Sequence, residues 1–162
     1  GPLARFNLNF DKLFPAAKEA AKATGLPRPY RNPFQGIVAR AVELVHAIEE
    51  AQAIIEAYQE PASSRVEIEA RAGEGCAATE APRGVLYHRY RIDDRGLVEF
   101  AKIVPPTAQN YRRMEDDLRL FLPGILDRPE AEITQLCESL VRNYDPCISC
   151  STHFLKLRLE RS

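Results

Sequence analysis

Apolar residues recur at helical spacing from Asp11 to Thr24, at Leu13, Phe14, Ala17, Ala20 and Ala21, and Gly25 offers a stop before the Pro-broken loop Leu26–Pro29. The clearest pattern follows. Asn32 is placed to cap, Pro33 sits at a first helical position, and Phe34, Ile37, Val38, Ala41, Leu44, Val45, Ile48, Ala51, Ile55 and Tyr58 follow in steps of three and four. This predicts one long helix over Pro33–Gln59, about 40 Å at ~1.5 Å per residue, long enough to act as a spine. The period then changes to two. Arg65–Ala70 alternates and reads as a strand, and Gly84–Ile92 and Leu97–Val104 flank an Asp/Gly turn as a hairpin. Helical spacing returns over Asn110–Phe121. A last helix starts at Asp127 with a capping-box pattern and carries the stripe Ile133, Leu136, Cys137, Leu140, Val141 and Tyr144, ending at Asp145-Pro146. The tail Phe154–Glu160 alternates again. The expected class is α+β: a helix-dominated domain with a long spine helix and a small antiparallel sheet.

Composition changes this picture little. The 162 residues, 45% hydrophobic and 28% charged, suit one ordinary domain with a core of its own. Twenty-two basic residues against 23 acidic ones leave a net charge of −1, which gives no electrostatic reason to expect nucleic acid as a partner. No run approaches the ~20 apolar residues of a membrane span, and no signal peptide opens the chain. Four unevenly placed cysteines do not make a secreted disulfide scaffold, so a cytoplasmic, reducing setting is expected.

The chemistry concentrates in Asp145-Pro146-Cys147-Ile148-Ser149-Cys150-Ser151-Thr152-His153. Two cysteines three apart can present both sulfurs to one metal ion, and His153 adds a further donor. The plain alternative is a loop with two incidental thiols. Structural zinc needs four ligands, and neither Cys76 and Cys137 nor His46 and His88 form a second pair. A thioredoxin-like reading needs a βαβ context that is missing here. Spacing alone therefore indicates half a metal site. Cys137, on an apolar stripe, reads as core, and His46 as a packed histidine.

Taken together, four segments resemble signatures of nickel–iron hydrogenase large subunits, in that family's order. They are Gly1-Pro2-Leu3-Ala4-Arg5-Phe6-Asn7, Glu80-Ala81-Pro82-Arg83-Gly84, Val104-Pro105-Pro106-Thr107-Ala108-Gln109-Asn110, and Asp145-Pro146-Cys147-x-x-Cys150-x-x-His153. Their wording is most similar to the cytoplasmic, NAD(P)-linked branch. The resemblance spans residues 1–162 but only the C-terminal part of the family's large subunit. The family's N-terminal CxxC and its proton-passing glutamate have no counterpart, which implies a fragment, a truncation or one half of a split subunit.

The resemblance implies a role for each matching residue. Cys147 would be a terminal nickel thiolate and the proton acceptor when dihydrogen splits, and Cys150 a thiolate bridging nickel and iron in a Ni-Fe centre whose iron carries CO and cyanide. Thiolates are soft donors suited to such metals. Arg83 would hang over the open side of the metal pair as a second catalytic group. With a pKa above ~12 it ranks below Cys147 as a base. Thr107 would hydrogen-bond a cyanide, Pro106 would offer an apolar wall, and Asp145 would orient Arg83. Glu80 is expected to bond backbone or Arg83. His153 would hold a separate Mg or Fe ion, so that residues 145–153 form the metal-ligand loop. In the family a dedicated endopeptidase cuts just after that histidine, so 154–162 reads as the C-terminal extension of an unprocessed precursor. Implied partners are the missing N-terminal part of the large subunit, an iron–sulfur small subunit, metal-insertion chaperones, the maturation endopeptidase and dihydrogen. On this reading the isolated chain is expected to be inactive. The alternative is a truncated, non-catalytic domain that serves as an interaction module for the chaperones or the protease.

Overall fold

The computed structural model describes residues 1–147. Cys150, His153 and the alternating tail lie outside the described residues. Two short helices open the chain, α1 (Pro2–Asn9) and α2 (Pro15–Ala23), followed by the long α3 (Gly36–Glu56), strands β1 (Gly73–Ala81), β2 (Gly84–Ile92) and β3 (Val98–Val104), and helices α4 (Pro106–Phe121) and α5 (Glu130–Arg142). The α+β class, the spine helix and the small antiparallel sheet are as the sequence predicts. No described helix is long and apolar enough to cross a membrane.

Prolines set several boundaries differently from the periodicity. The expected helix from Asp11 begins only at Pro15. Phe14 before it is extended (ψ 161°), as a residue preceding proline prefers, and Phe10–Lys12 forms a 3-10 turn instead. The spine starts as expected: the Asn32 side chain accepts from the Phe34 N–H at 2.9 Å, while the Gln35 side chain accepts from the Asn32 N–H at 3.2 Å. Pro106 both ends β3 and supplies a first helical residue, so α4 begins four residues before the expected Asn110 and takes Thr107 into its first turn. At the start of α5 the expected capping box does not form. Pro129 stands at the cap position, and its side chain offers no capping hydrogen bond.

The expected strand Arg65–Ala70 is not a strand. Its alternation is real, but a strand needs a hydrogen-bonding neighbour, and the edge of β2 is taken by β1. β1 is rich in Gly and Ala and pairs Gly73–Ala81 with Ile92–Gly84. β3 pairs on the other side of β2, giving the antiparallel order β1-β2-β3. Only Pro82 and Arg83 separate β1 from β2, so Arg83 sits at the tip of a tight hairpin. Gly84 follows with φ +143°, a value side chains resist, and a Cβ there would lie 3.3 Å from Pro106 Cβ.

The main core lies where α1 and α2 pack on the first half of α3, joining Phe6, Leu13, Ala17, Ala21, Tyr30, Ala39 and Val42. Phe6 stacks on Tyr30 with ring centroids 4.5 Å apart, and Asn7 clamps the Tyr30 backbone from both sides. Glu49 of α3 accepts the Ala16 and Ala17 N–H groups, placing a carboxylate at the N-terminus of α2 where the helix dipole favours it. His46 accepts from the Phe14 N–H at 3.3 Å, a packed histidine as expected. A second, smaller core of Ile125, Ile133 and Cys137 holds α5 to the end of α4, with Cys137 only 1% exposed.

Candidate metal-ligand site

Segments far apart in the sequence meet around one hairpin tip. Arg5, on α1, reaches the β1–β2 hairpin. Its guanidinium forms a two-pronged pair with Glu43 of α3 at 2.7 and 2.9 Å. It also donates to the Ala81 and Pro82 carbonyls at 2.7 Å each and to Glu80 at 3.0 Å. The planar fork of arginine suits such a junction, and lysine would not replace it. The hydrogen bond that the Arg5 guanidinium donates to Glu43 holds it above its ordinary pKa. Glu80 thus bonds Arg5 rather than Arg83, which corrects the sequence expectation. Gly1 approaches the Arg83 carbonyl so closely that an added Cβ would stand 3.1 Å from its oxygen.

Arg83 is held from both sides. Asn110 of α4 donates to the Arg83 carbonyl at 2.8 Å, fixing the backbone of the tip. The side chain turns to Asp145: Nε lies 3.0 Å from the carboxylate and 2.5 Å from the Asp145 carbonyl. The pairing of Arg83 with Asp145 expected from the sequence is therefore present. Among the described residues all the Arg83 side-chain hydrogen bonds run through Nε, so its two terminal nitrogens bond none of them. Asp145 has φ +50°, a left-handed conformation that a short polar side chain tolerates better than most. That conformation lets one residue present both carbonyl and carboxylate to the same guanidinium.

Cys147 lies two residues further on. Its N–H points to the Thr107 hydroxyl at 3.5 Å, so Thr107, 2% exposed in the first turn of α4, contacts the ligand segment directly. Pro106 begins that turn and packs near Gly84. Arg83, Asp145, Cys147, Thr107 and Pro106 thus converge, while Cys150 and His153 lie outside the described residues. A cleft of about 230 Å³ opens on the Arg83 side, with Arg31, Arg83, Asn110, Asp117 and Tyr144 in its wall. His88 bonds Tyr90 on its own strand, and Cys76 is exposed on β1.

The donor chemistry fits one side of a soft-metal centre. A cysteine binds metal as its thiolate, and a thiolate is a soft donor that suits a late transition metal. The described residues do not close a cage by themselves, since no three His, Cys, Asp or Glu side chains among them are grouped to hold an ion.

Sequence reasoning missed Arg5, Glu43, Asn110, Asp117 and Tyr144. Asp117 and Thr107 are the two buried polar side chains among the described residues, and both lie on α4. The Tyr144 hydroxyl donates to one oxygen of Asp117, and Arg113 pairs with the other at 2.8 Å. Burial, and then the Asp117 carboxylate, pushes the Tyr144 phenol above its ordinary pKa, so it stays a donor. The available signal was the spacing Thr107, Asn110, Met114, Asp117. It is legible as one helical stripe only once the helix is started at Pro106.

A family model described as nickel-dependent hydrogenase matches residues 31–153. The chain is 37% identical over 159 residues to sulfhydrogenase 1 subunit alpha of Pyrococcus furiosus, an alignment covering 97% of this chain and 37% of that one. It is 35% identical over 168 residues to NAD-reducing hydrogenase HoxS subunit beta of Cupriavidus necator, covering 96% and 34%. Among solved structures it resembles an NAD+-reducing NiFe hydrogenase in the H2-reduced state, with a TM-score of 0.67, 30% identity, and coverage of 94% of this chain and 35% of that one. The chain spans little more than a third of the length of the curated relatives it matches.

Proposed function

Because the chain belongs to the nickel-dependent hydrogenase family, we propose that within a complete large subunit it supplies half of the thiolate ligands of a Ni-Fe centre that splits dihydrogen or forms it from protons. In this reading Cys147 would hold nickel as a terminal thiolate and Cys150 would serve as a thiolate ligand to both nickel and iron. When bound, the centre would supply the redox-active metal chemistry for splitting or forming dihydrogen. The chain's own residues do the rest. Cys147 accepts the proton, because a thiolate is a far better base at neutral pH than a guanidinium. Arg83 keeps its charge and offers its two terminal nitrogens, fixed in advance by Asp145, to charge developing in the transition state and to cyanide on iron. Thr107 donates to a second cyanide, and Pro106 excludes water beside it. His153 holds a separate Mg or Fe ion.

The observation that carries this reading is the convergence of Arg83, Asp145, Cys147 and Thr107 from three distant segments. A remainder of the large subunit would bring the missing thiolates and cover α3, whose Ile37, Leu44, Ile48 and Ile55 are each more than half exposed. An iron–sulfur small subunit would carry the electrons, and chaperones and an endopeptidase acting after His153 would complete the site in the cytoplasm. The same exposed stripe favours the second reading, an interaction module without catalysis of its own. Metal analysis and hydrogen uptake on the complete subunit decide between them. Stoichiometric nickel and iron with turnover support the first, and a folded protein that takes up no nickel supports the second.

A further inference from the structure

One stripe of α4 touches both the hairpin tip and the segment that carries Cys147. Thr107, Asn110, Met114 and Asp117 are spaced three, four and three apart and so lie on one helix face. Thr107 meets the Cys147 N–H, Asn110 meets the Arg83 carbonyl, and Asp117 meets the Tyr144 hydroxyl. Two of these contacts act on residues already assigned a role. The third has none, yet it is the most demanding. Asp117 is 6% exposed, and a buried carboxylate is rarely justified by stability alone, since an apolar residue of similar volume usually serves as well or better.

What the buried carboxylate does is specify a position. An ionised carboxylate only accepts, and a phenol held protonated must donate to it, so the bond has one polarity and one geometry. Tyr144 stands at the end of α5, where its own N–H still bonds the Val141 carbonyl and the next N–H bonds the Arg142 carbonyl. The following residue is Asp145, in its left-handed conformation, which turns the chain toward Arg83. The last side-chain anchor before that turn is therefore the Tyr144–Asp117 bond. We infer that Asp117 and Tyr144 are positioning residues: anchored on α4, they set the backbone from which Asp145 orients Arg83 and Cys147 faces the metal side. This inference rests on the proposed role of Arg83 and Cys147 and adds two residues to it.

The test uses the complete large subunit with its metals. Tyr144→Phe keeps the ring and removes only the donor, and Asp117→Asn keeps the shape and removes the charge. Amide exchange is read at Asp145 and Cys147, alongside nickel content and hydrogen oxidation. Exchange at those two amides is expected to rise about tenfold in Tyr144→Phe, the effect of losing one hydrogen bond to a charged group. Nickel is expected to be retained, and turnover to fall by a similar factor. At the Asp145 and Cys147 amides the double variant should match Tyr144→Phe alone, because without the hydroxyl the side chain at 117 no longer bonds residue 144. Exchange at Asp145 and Cys147 unchanged in Tyr144→Phe overturns the inference. So does a rise shared equally by the β2 and β3 amides, which would mean general loosening. If Asp117→Asn does not fold, Tyr144→Phe alone still decides. Raised exchange combined with wild-type turnover would preserve the anchoring but sink the catalytic reading of Arg83, so the two fail separately.

Discussion

Helices α3 and α4 invert the usual expectation. α3 carries the most regular apolar pattern in the chain, yet Ile37, Ala41, Leu44, Ile48, Ala51 and Ile55, spaced alternately four and three apart, face outward. Of its buried positions, Ala39 and Val42 lie against α1 and α2, and Gly36 lies against Asn143. α4 is the more polar helix, yet its Thr107 and Asp117 are buried and its Asn110 is half-buried. A regular apolar seam says that a face is suited to being covered, not what covers it. A buried polar stripe is expensive and persists where every member has a partner to hold. The difference separates the two tasks of this chain: α3 presents a surface, and α4 fixes a site.

The sharpest way to break this comparison is to remove the ligands that α4 is proposed to serve. Cys147→Ser and Cys150→Ser in the complete subunit are each expected to abolish nickel retention, since a hydroxyl is a harder donor that stays protonated at neutral pH. Full nickel occupancy by metal analysis in either variant would leave α4 holding a loop without a metal. Next in size is Arg83→Lys. The metals should stay bound while turnover drops roughly 10²–10³-fold, the usual cost of one preorganised electrostatic group. Lysine keeps the charge but lacks the fork that lets Nε bond Asp145 while the terminal nitrogens face outward. Wild-type hydrogen oxidation in that variant would make Arg83 a structural hairpin residue.

A smaller effect probes the anchor on α4. Burial and the Asp117 charge raise the Tyr144 pKa in the folded chain, with Arg113 partly opposing. The folded state therefore keeps a proton that the unfolded state sheds above pH about 10, and stability is lost as pH rises from there through the folded pKa. Denaturant midpoints between pH 8 and 11 should fall less steeply in Tyr144→Phe than in wild type. Equal slopes would show that this phenol does not contribute. The smallest effect is expected on α3. Ile48, 63% exposed, changed to Lys should shift the chain's own unfolding free energy by no more than about 0.5 kcal/mol. A loss well above 1 kcal/mol would mean that the outward seam is already packed within this chain, and the contrast with α4 would disappear.

Much of this was legible in the residues. The spine helix follows from Asn32, Pro33 and a sustained three–four period, and the β2–β3 hairpin from Asp93–Gly96 between two β-rich runs. The Arg83–Asp145 pair could be anticipated because both belong to segments with recognisable motifs. The rest failed for identifiable reasons. Alternation at Val66 and Ile68 does not say whether a neighbouring strand is free to pair, so the expected strand gave way to the Gly- and Ala-rich β1. Arg5 was legible only as a member of the first motif, because its partners lie 38 to 77 positions away. α4 was started too late, which hid the stripe from Thr107 to Asp117.

What the sequence by itself determined is what rests on neighbours along the chain: helical and strand periods, proline and glycine boundaries, and the types and spacing of donors around Cys147. Only the tertiary structure decided which faces are covered and which polar groups meet. Burial of Asp117, the left-handed turn at Asp145 aimed at Arg83, and the exposure of the α3 seam all depend on elements far apart in sequence being packed together. Local spacing records the period of a face. The free energy that makes one face a core, another a site and a third an open surface comes from the partner across the gap, and no local pattern contains that partner.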